Sequence, residues 1–252
     1  MTLRNINNTV TYISKWLNDY CNDNGRKTLV VGYDKTYNSG ILLYVAMRGV
    51  SGDIKSLASI EDTKSLLSTH RQGIGLKVVV FSKDDQVHLS SWYHGEITLL
   101  EEAHSVLRLI SIAEESDGIV LGNVDKTFGE VNREYSKVGQ GLCDVFPIYD
   151  LFYSELKQIA DGHIQAKFEE NVSPGDGESD YEYVSLFEWA LRDPEVYGLI
   201  TDPKVILPQS SGWFRYTIQQ RTVIAFLHNR NKSTYHKRML RPYPVILTEN
   251  HR

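Results

Sequence analysis

The chain of 252 residues has only two cysteines, Cys21 and Cys143, no apolar run of bilayer-spanning length, and no excess of positive charge, its formal net charge being -5. Two thiols are too few for a disulfide framework, so a reducing compartment is expected, and neither thiol has metal-ligand company nearby. The opening residues M-T-L-R-N-I-N-N-T-V-T-Y-I contain no unbroken apolar run of signal-peptide length. A soluble, cytoplasmic protein with no membrane association is therefore expected. The negative balance argues against general coating of nucleic acid, and a local basic cluster at His236, Lys237, Arg238 and Arg241 is the exception. What is present is length enough for one large α/β domain that needs no staples, so a single domain over 1–252 is expected.

The stretch that organises the rest runs from Asp117 to Asp161. Gly118 to Leu121 is a short apolar run ending in Gly122, a buried strand that empties into a long polar loop. Pro147 and Asp150 then punctuate the entry to a helix from Leu151 to about Ala160, with Leu151, Leu156 and Ile159 on one side. Strand, loop and helix in that order is the grammar of an open α/β sheet, whose ligands sit beyond the carboxyl ends of the strands.

The same grammar appears earlier. Val10, Ile13, Trp16 and Leu17 predict an amphipathic opening helix within 1–24, closed by the turn N-D-N-G. Thr28 to Gly32 is a β-branched strand, followed by Y-D-K-T-Y-N-S-G and an apolar helix through Ile41 to Met47, whose N-terminus at Asn38 and Ser39 is a natural anion site. Further along, a helix is predicted over Ile60 to Leu67 and a strand over Leu76 to Phe81. A long helix over Ile97 to Glu115 takes Leu100, Ala103, Leu107, Ile110 and Ile112 as core candidates. Residues 165–183 form an acidic Pro/Gly/Ser loop, long enough for a lid, with Asp176, Glu178 and Asp180 as its notable acids. Val184 to Leu191 predicts a helix with Leu186, Phe187, Trp189 and Ala190 in the core. Arg215 to Asn229 predicts an amphipathic helix, and 230–252 reads as a basic tail.

The central stretch resembles the ammonia-dependent NAD synthetases, whose pattern is roughly V-x-G-T-x-x-x-x-E, then T-K-Y-G-D-G, then D-x-x-P-I-x-D-L ending in L-A. The residues that carry the resemblance are Gly122, Ser136, Lys137, Gly139, Gly141, Asp144, Pro147, Ile148, Asp150, Leu151, Ile159 and Ala160, with His236, Lys237, Arg238 and Pro242 matching the family tail. The resemblance implies an adenine-nucleotide alpha-hydrolase-like fold, Rossmann-like, with a mainly parallel central sheet and helices on both faces. It also implies ATP and Mg2+, deamido-NAD as substrate, a homodimer, and a ligase that forms NAD with ammonia. It assigns Lys237 to catalysis; Gly32, Lys35, Asn38, Ser39 and Asn123 to ATP and its pyrophosphate; Lys137, Gln140, Asp144 and His236 to the substrate; and Glu130 to the metal.

The departures fall on the chemistry. In the family's loop S-G-G-x-D-S the serine is replaced by Asp34, the glycines by Lys35 and Thr36, and the aspartate by Asn38; Ser39 alone matches. Side chains obstruct the approach of backbone amides to phosphate, and a carboxylate repels it. The family's metal glutamate falls on Phe128 by direct count, with Glu130 two residues on. Its two nucleotide-binding arginines fall on Ala103 and Ser105, and Gln140 replaces an aspartate. Three readings stay open: an NAD synthetase-like ligase, a non-catalytic relative that binds a nucleotide or a protein partner, and a ligase adenylating another carboxylate.

Overall fold

A computed structural model describes residues 6–34, 36–51, 67–71, 74–80, 97–132, 142–164, 180–202, 204–210 and 212–234. They fall into two compact units, each taken by itself: one holds residues up to Asp125 together with 142–164, the other begins at Lys126 and resumes with 180–234.

The first unit is built on β1 (Thr28–Tyr33). Its β-branched run pairs in parallel with β3 (Ile74–Val80) on one side and β4 (Gly118–Leu121) on the other, and β2 (Leu67–Arg71) adds an antiparallel edge beyond β3. A strand with neighbours on both edges and helices on both faces reads as an unbroken apolar run, and β1 does. Period-2 alternation sorts its side chains. Leu29, Val31 and Tyr33 join the core under α1 (Ile6–Asp23), α2 (Tyr37–Ser51) and α5 (Tyr153–His163), while Val30 faces α3 (Ile97–Glu115). The expected Rossmann-like sheet, mainly parallel and covered on both faces, is the observed one.

Local chemistry sets the boundaries. α1 ends where Gly25 turns left-handed, with the Arg26 amide bonded to the Cys21 carbonyl and the Gly25 amide to that of Asn22, a Schellman closure. The Ser14 hydroxyl and the Asn18 amide donate to the carbonyls of Val45 and Gly49, and so stitch α1 to α2. α5 starts two residues later than its apolar pattern suggests, because the Phe152 amide donates to the Glu155 carboxylate and holds Phe152 at the cap.

Three expectations in this unit are corrected. Leu67 opens β2 rather than closing a helix, and the rest of the predicted Ile60–Leu67 helix lies outside the described residues. On α3 the buried stripe is Val106, Leu109 and Ala113, with Ile110 and Ile112 half-buried, whereas Leu107 is 55% exposed. Successive helix residues are about 100° apart, so a side chain next to a core position points away from it. The long loop after β4 contains a helix, α4 (Lys126–Asn132), which belongs to the second unit.

The second unit packs α4 with α6 (Asp180–Arg192), α7 (Pro194–Thr201) and α8 (Ile218–Thr234). α7 was not anticipated, although Asp193 before Pro194 is a helix-start signal: Asp193 accepts from the amides of Glu195 and Val196. α8 begins at Ile218, not Arg215, because Thr217 and Gln220 form a reciprocal capping box and Trp213–Arg215 is a separate 3-10 turn. Of the α6 residues assigned to the core, only Ala190 is fully buried. Phe187 lies half-buried against Phe226 and Trp189 against Tyr216. His228 and Asn231 contact the last carbonyls of α7, at Leu199 and Ile200.

Two predictions follow from packing. A Cβ placed on Gly122 would lie 2.1 Å from the ring of buried Phe146, so Gly122→Ala should cost about 1–3 kcal/mol in urea unfolding. A Phe146→Leu partner should recover part of that. Burial pushes the Cys21 thiol up from 9.0 to about 11. Its neutral form is therefore the stabilised one: the stabilisation is complete below pH 9 and is lost as pH rises through 11. Iodoacetamide at pH 8 should leave Cys21 unmodified in native protein and alkylate it in urea, as read by mass spectrometry.

Candidate functional site

In the parallel sheet, the chain leaves β1 toward β3 and leaves β4 toward the opposite edge, where Val145 bridges Leu121. The strand order therefore reverses between β1 and β4, and the crevice outside their carboxyl ends is where an open α/β sheet takes a ligand. Two segments border it: Asp34 and Thr36, which lead into α2, and residues 122–125, which follow β4.

The loop after β1 satisfies itself. One carboxylate oxygen of Asp34 accepts from the Thr36 amide at 3.1 Å, the Thr36 hydroxyl at 2.7 Å and the Ser39 hydroxyl at 2.5 Å. Thr36 in turn stands at the N-cap of α2, its hydroxyl oxygen accepting from the Ser39 amide at 3.3 Å. Asp34 is exposed and Ser39 fully buried. A helix N-terminus attracts an anion, and here the chain supplies its own.

The two loops are joined by one side chain. The amide nitrogen of Asn38 donates to the Asn123 carbonyl at 2.9 Å and to the Asp125 carboxylate at 2.7 Å. Asn38 is 4% exposed and Asp125 is 0% exposed. A buried carboxylate costs heavily unless hydrogen-bonded, and Asn38 supplies such a bond. Beyond β4, the Val120 amide donates to the Asp144 carboxylate at 2.7 Å, while Asp144 and Gly122 return backbone bonds to Val120 and Val145. This closes the outer edge of β4.

The predicted site residues separate accordingly. Asn38 and Asn123 are brought together directly, and Ser39 lies one residue on, bonded to Asp34. Gly32 is half-buried inside β1, in register with Val79. Asp144 faces the β4 backbone with one oxygen and is otherwise exposed. Glu130 is half-buried on α4, in the second unit. Lys35, Lys137, Gln140, His236 and Lys237 lie outside the described residues, as do Asp176, Glu178 and residues 235–252; Asp180 opens α6. Among the described residues no three His, Cys, Asp or Glu side chains gather as a metal-binding group. Asp125 was not anticipated, since one acid among several in a polar loop carries no sequence signal of burial.

No family model and no curated protein matches the chain. Solved structures do. An NH3-dependent NAD synthetase from Campylobacter jejuni is similar with a TM-score of 0.56 at 12% identity, over 98% of this chain and 100% of that one. An NMN synthetase from Francisella tularensis gives 0.57 at 16%, over 96% and 99%. An NAD+ synthetase from Burkholderia pseudomallei gives 0.53 at 14%, over 94% and 91%. The fold is NAD synthetase-like.

The Asp34 network makes a prediction. Asp34→Ser removes a negative charge from the α2 N-terminus, and inorganic pyrophosphate should then bind at least about fivefold more tightly by calorimetry. The same change should lower unfolding stability by about 1 kcal/mol, the net worth of the hydrogen bonds that Asp34 accepts from Thr36 and Ser39. Unchanged pyrophosphate affinity would show that the carboxylate does not guard this end of the helix.

Proposed function

We propose that the protein is an NAD synthetase-like amide ligase. It binds ATP with a nucleotide that carries a free carboxylate, deamido-NAD in the first instance. The carboxylate oxygen attacks the α-phosphate, pyrophosphate leaves, and ammonia displaces AMP from the acyl adenylate to give the amide, NAD. The observation that carries this reading is the crevice between β1 and β4, bordered by two hydrogen-bonded polar loops, on a fold like that of synthetases of NAD and NMN. Asn123 and Ser39 are assigned to the nucleotide, Lys137, Gln140, Asp144 and His236 to the substrate. Lys35 offsets part of the charge of Asp34, Glu130 is the assigned metal carboxylate, and a second copy of the chain is the expected partner. Lys237 is the catalytic assignment: a mobile ammonium follows charge onto the departing pyrophosphate.

Asp34 favours a second reading. With its carboxylate seated over the α2 N-terminus, the loop that holds pyrophosphate in the family is closed to it, and the scaffold serves to bind a nucleotide or a protein partner without turnover.

Purified protein incubated with ATP, magnesium, ammonium and either deamido-NAD or nicotinate mononucleotide separates these by mass spectrometry. The ligase reading expects an amide product with equimolar AMP, lowered about 100-fold in Lys237→Ala. Amide from the mononucleotide alone would move the substrate to the smaller carboxylate. No product, with a melting temperature raised by ATP or NAD, would select the binding module.

A further inference from the structure

Asn38 holds together two loops that are far apart in sequence, and its amide has two N–H donors. One is committed to a backbone carbonyl, at Asn123, and the other to the buried carboxylate of Asp125. An amide with both donors engaged has no N–H left for a phosphate, so Asn38 is a brace. The bond to a charged acceptor is the stronger of the two kinds. We propose that Asn38 and Asp125 form a positioning pair that fixes the first turn of α2 against the loop after β4, so that nucleotide affinity in the crevice depends on a contact between the two elements that border it. This rests on the crevice reading above for its ligand, but not for the coupling itself.

The chemistry separates the variants. Asp125→Asn keeps an acceptor for Asn38 and removes only the charge. Asp125→Ala removes the acceptor. Asn38→Asp removes both donors and sets a second carboxylate against the first. In Asn38→Asp/Asp125→Asn the new amide donates back, which restores the pair but leaves the Asn123 carbonyl without its donor.

Hydrogen–deuterium exchange on ligand-free protein reads the coupling, and ATP titration of the same folded variants reads its consequence. Asp125→Ala should raise exchange at 36–40 as well as at 122–125, and Asn38→Asp should raise it at 122–125 as well as in its own loop. ATP affinity should fall at least about tenfold in both, the equivalent of one lost strong hydrogen bond, stay within about threefold of native in Asp125→Asn, and recover in part in the double variant. Increases confined to the mutated loop overturn the proposal, as does cross-loop loosening with unchanged ATP affinity, which would mark the pair as structural only. If Asn38→Asp does not fold, Asp125→Ala beside Asp125→Asn decides alone. If native protein binds neither ATP nor NAD, it is the proposed function that has failed, and cross-loop exchange still accepts or rejects the coupling.

Discussion

Everything in the first unit depends on β1 being occupied on four sides. Its edges are taken by β3 and β4, and its faces by α1 and α2 on one side and α3 on the other. A strand in that position has no solvent to satisfy its backbone, so each neighbour is obligatory. The carboxyl end is the one place where the strand can hand its chain to a polar environment. That is why Asp34, Thr36, Asn38 and Ser39 follow it directly, and why the functional question concentrates in those residues.

Two ways of handling the α2 N-terminus compete there. A glycine-lined loop leaves the amides open to an outside anion. This chain instead brings a carboxylate that accepts from the Thr36 amide and from the hydroxyls of Thr36 and Ser39, while the Thr36 hydroxyl caps the Ser39 amide. The first arrangement stabilises a complex and the second stabilises the free protein.

The fold was largely legible because its signals are periodic or apolar. The runs 28–32 and 118–121 and the helix 97–115 all appear within a residue of where hydrophobic pattern puts them. Misses came from single polar side chains that override pattern: Glu155 delaying α5, Thr217 with Gln220 delaying α8, and Asp193 with Pro194 starting α7. β2 (Leu67–Arg71) was missed because L-S-T-H-R has one apolar residue and its partner is chosen by tertiary pairing. The site was half legible. Asn38 and Asn123 were singled out as ligand residues, and their direct contact, beside a second bond from Asn38 to the buried Asp125, depends on pairing across the sheet and leaves no mark in the linear order.

The parallel pairing of β1 also bears on how the chain is made. Antiparallel neighbours can zip from a turn, but parallel ones wait for a crossover. β1 is synthesised before the other described strands, and Leu29 and Val31 meet Ile119 and Leu121 only after β2, β3 and α3 have followed. At usual elongation rates that is a delay on the order of several seconds, during which this buried strand has one edge open. The Schellman closure of α1 and its polar stitches to α2 need nothing synthesised later than Ser51, so that helical pair is available to shelter one face of the nascent strand while it waits.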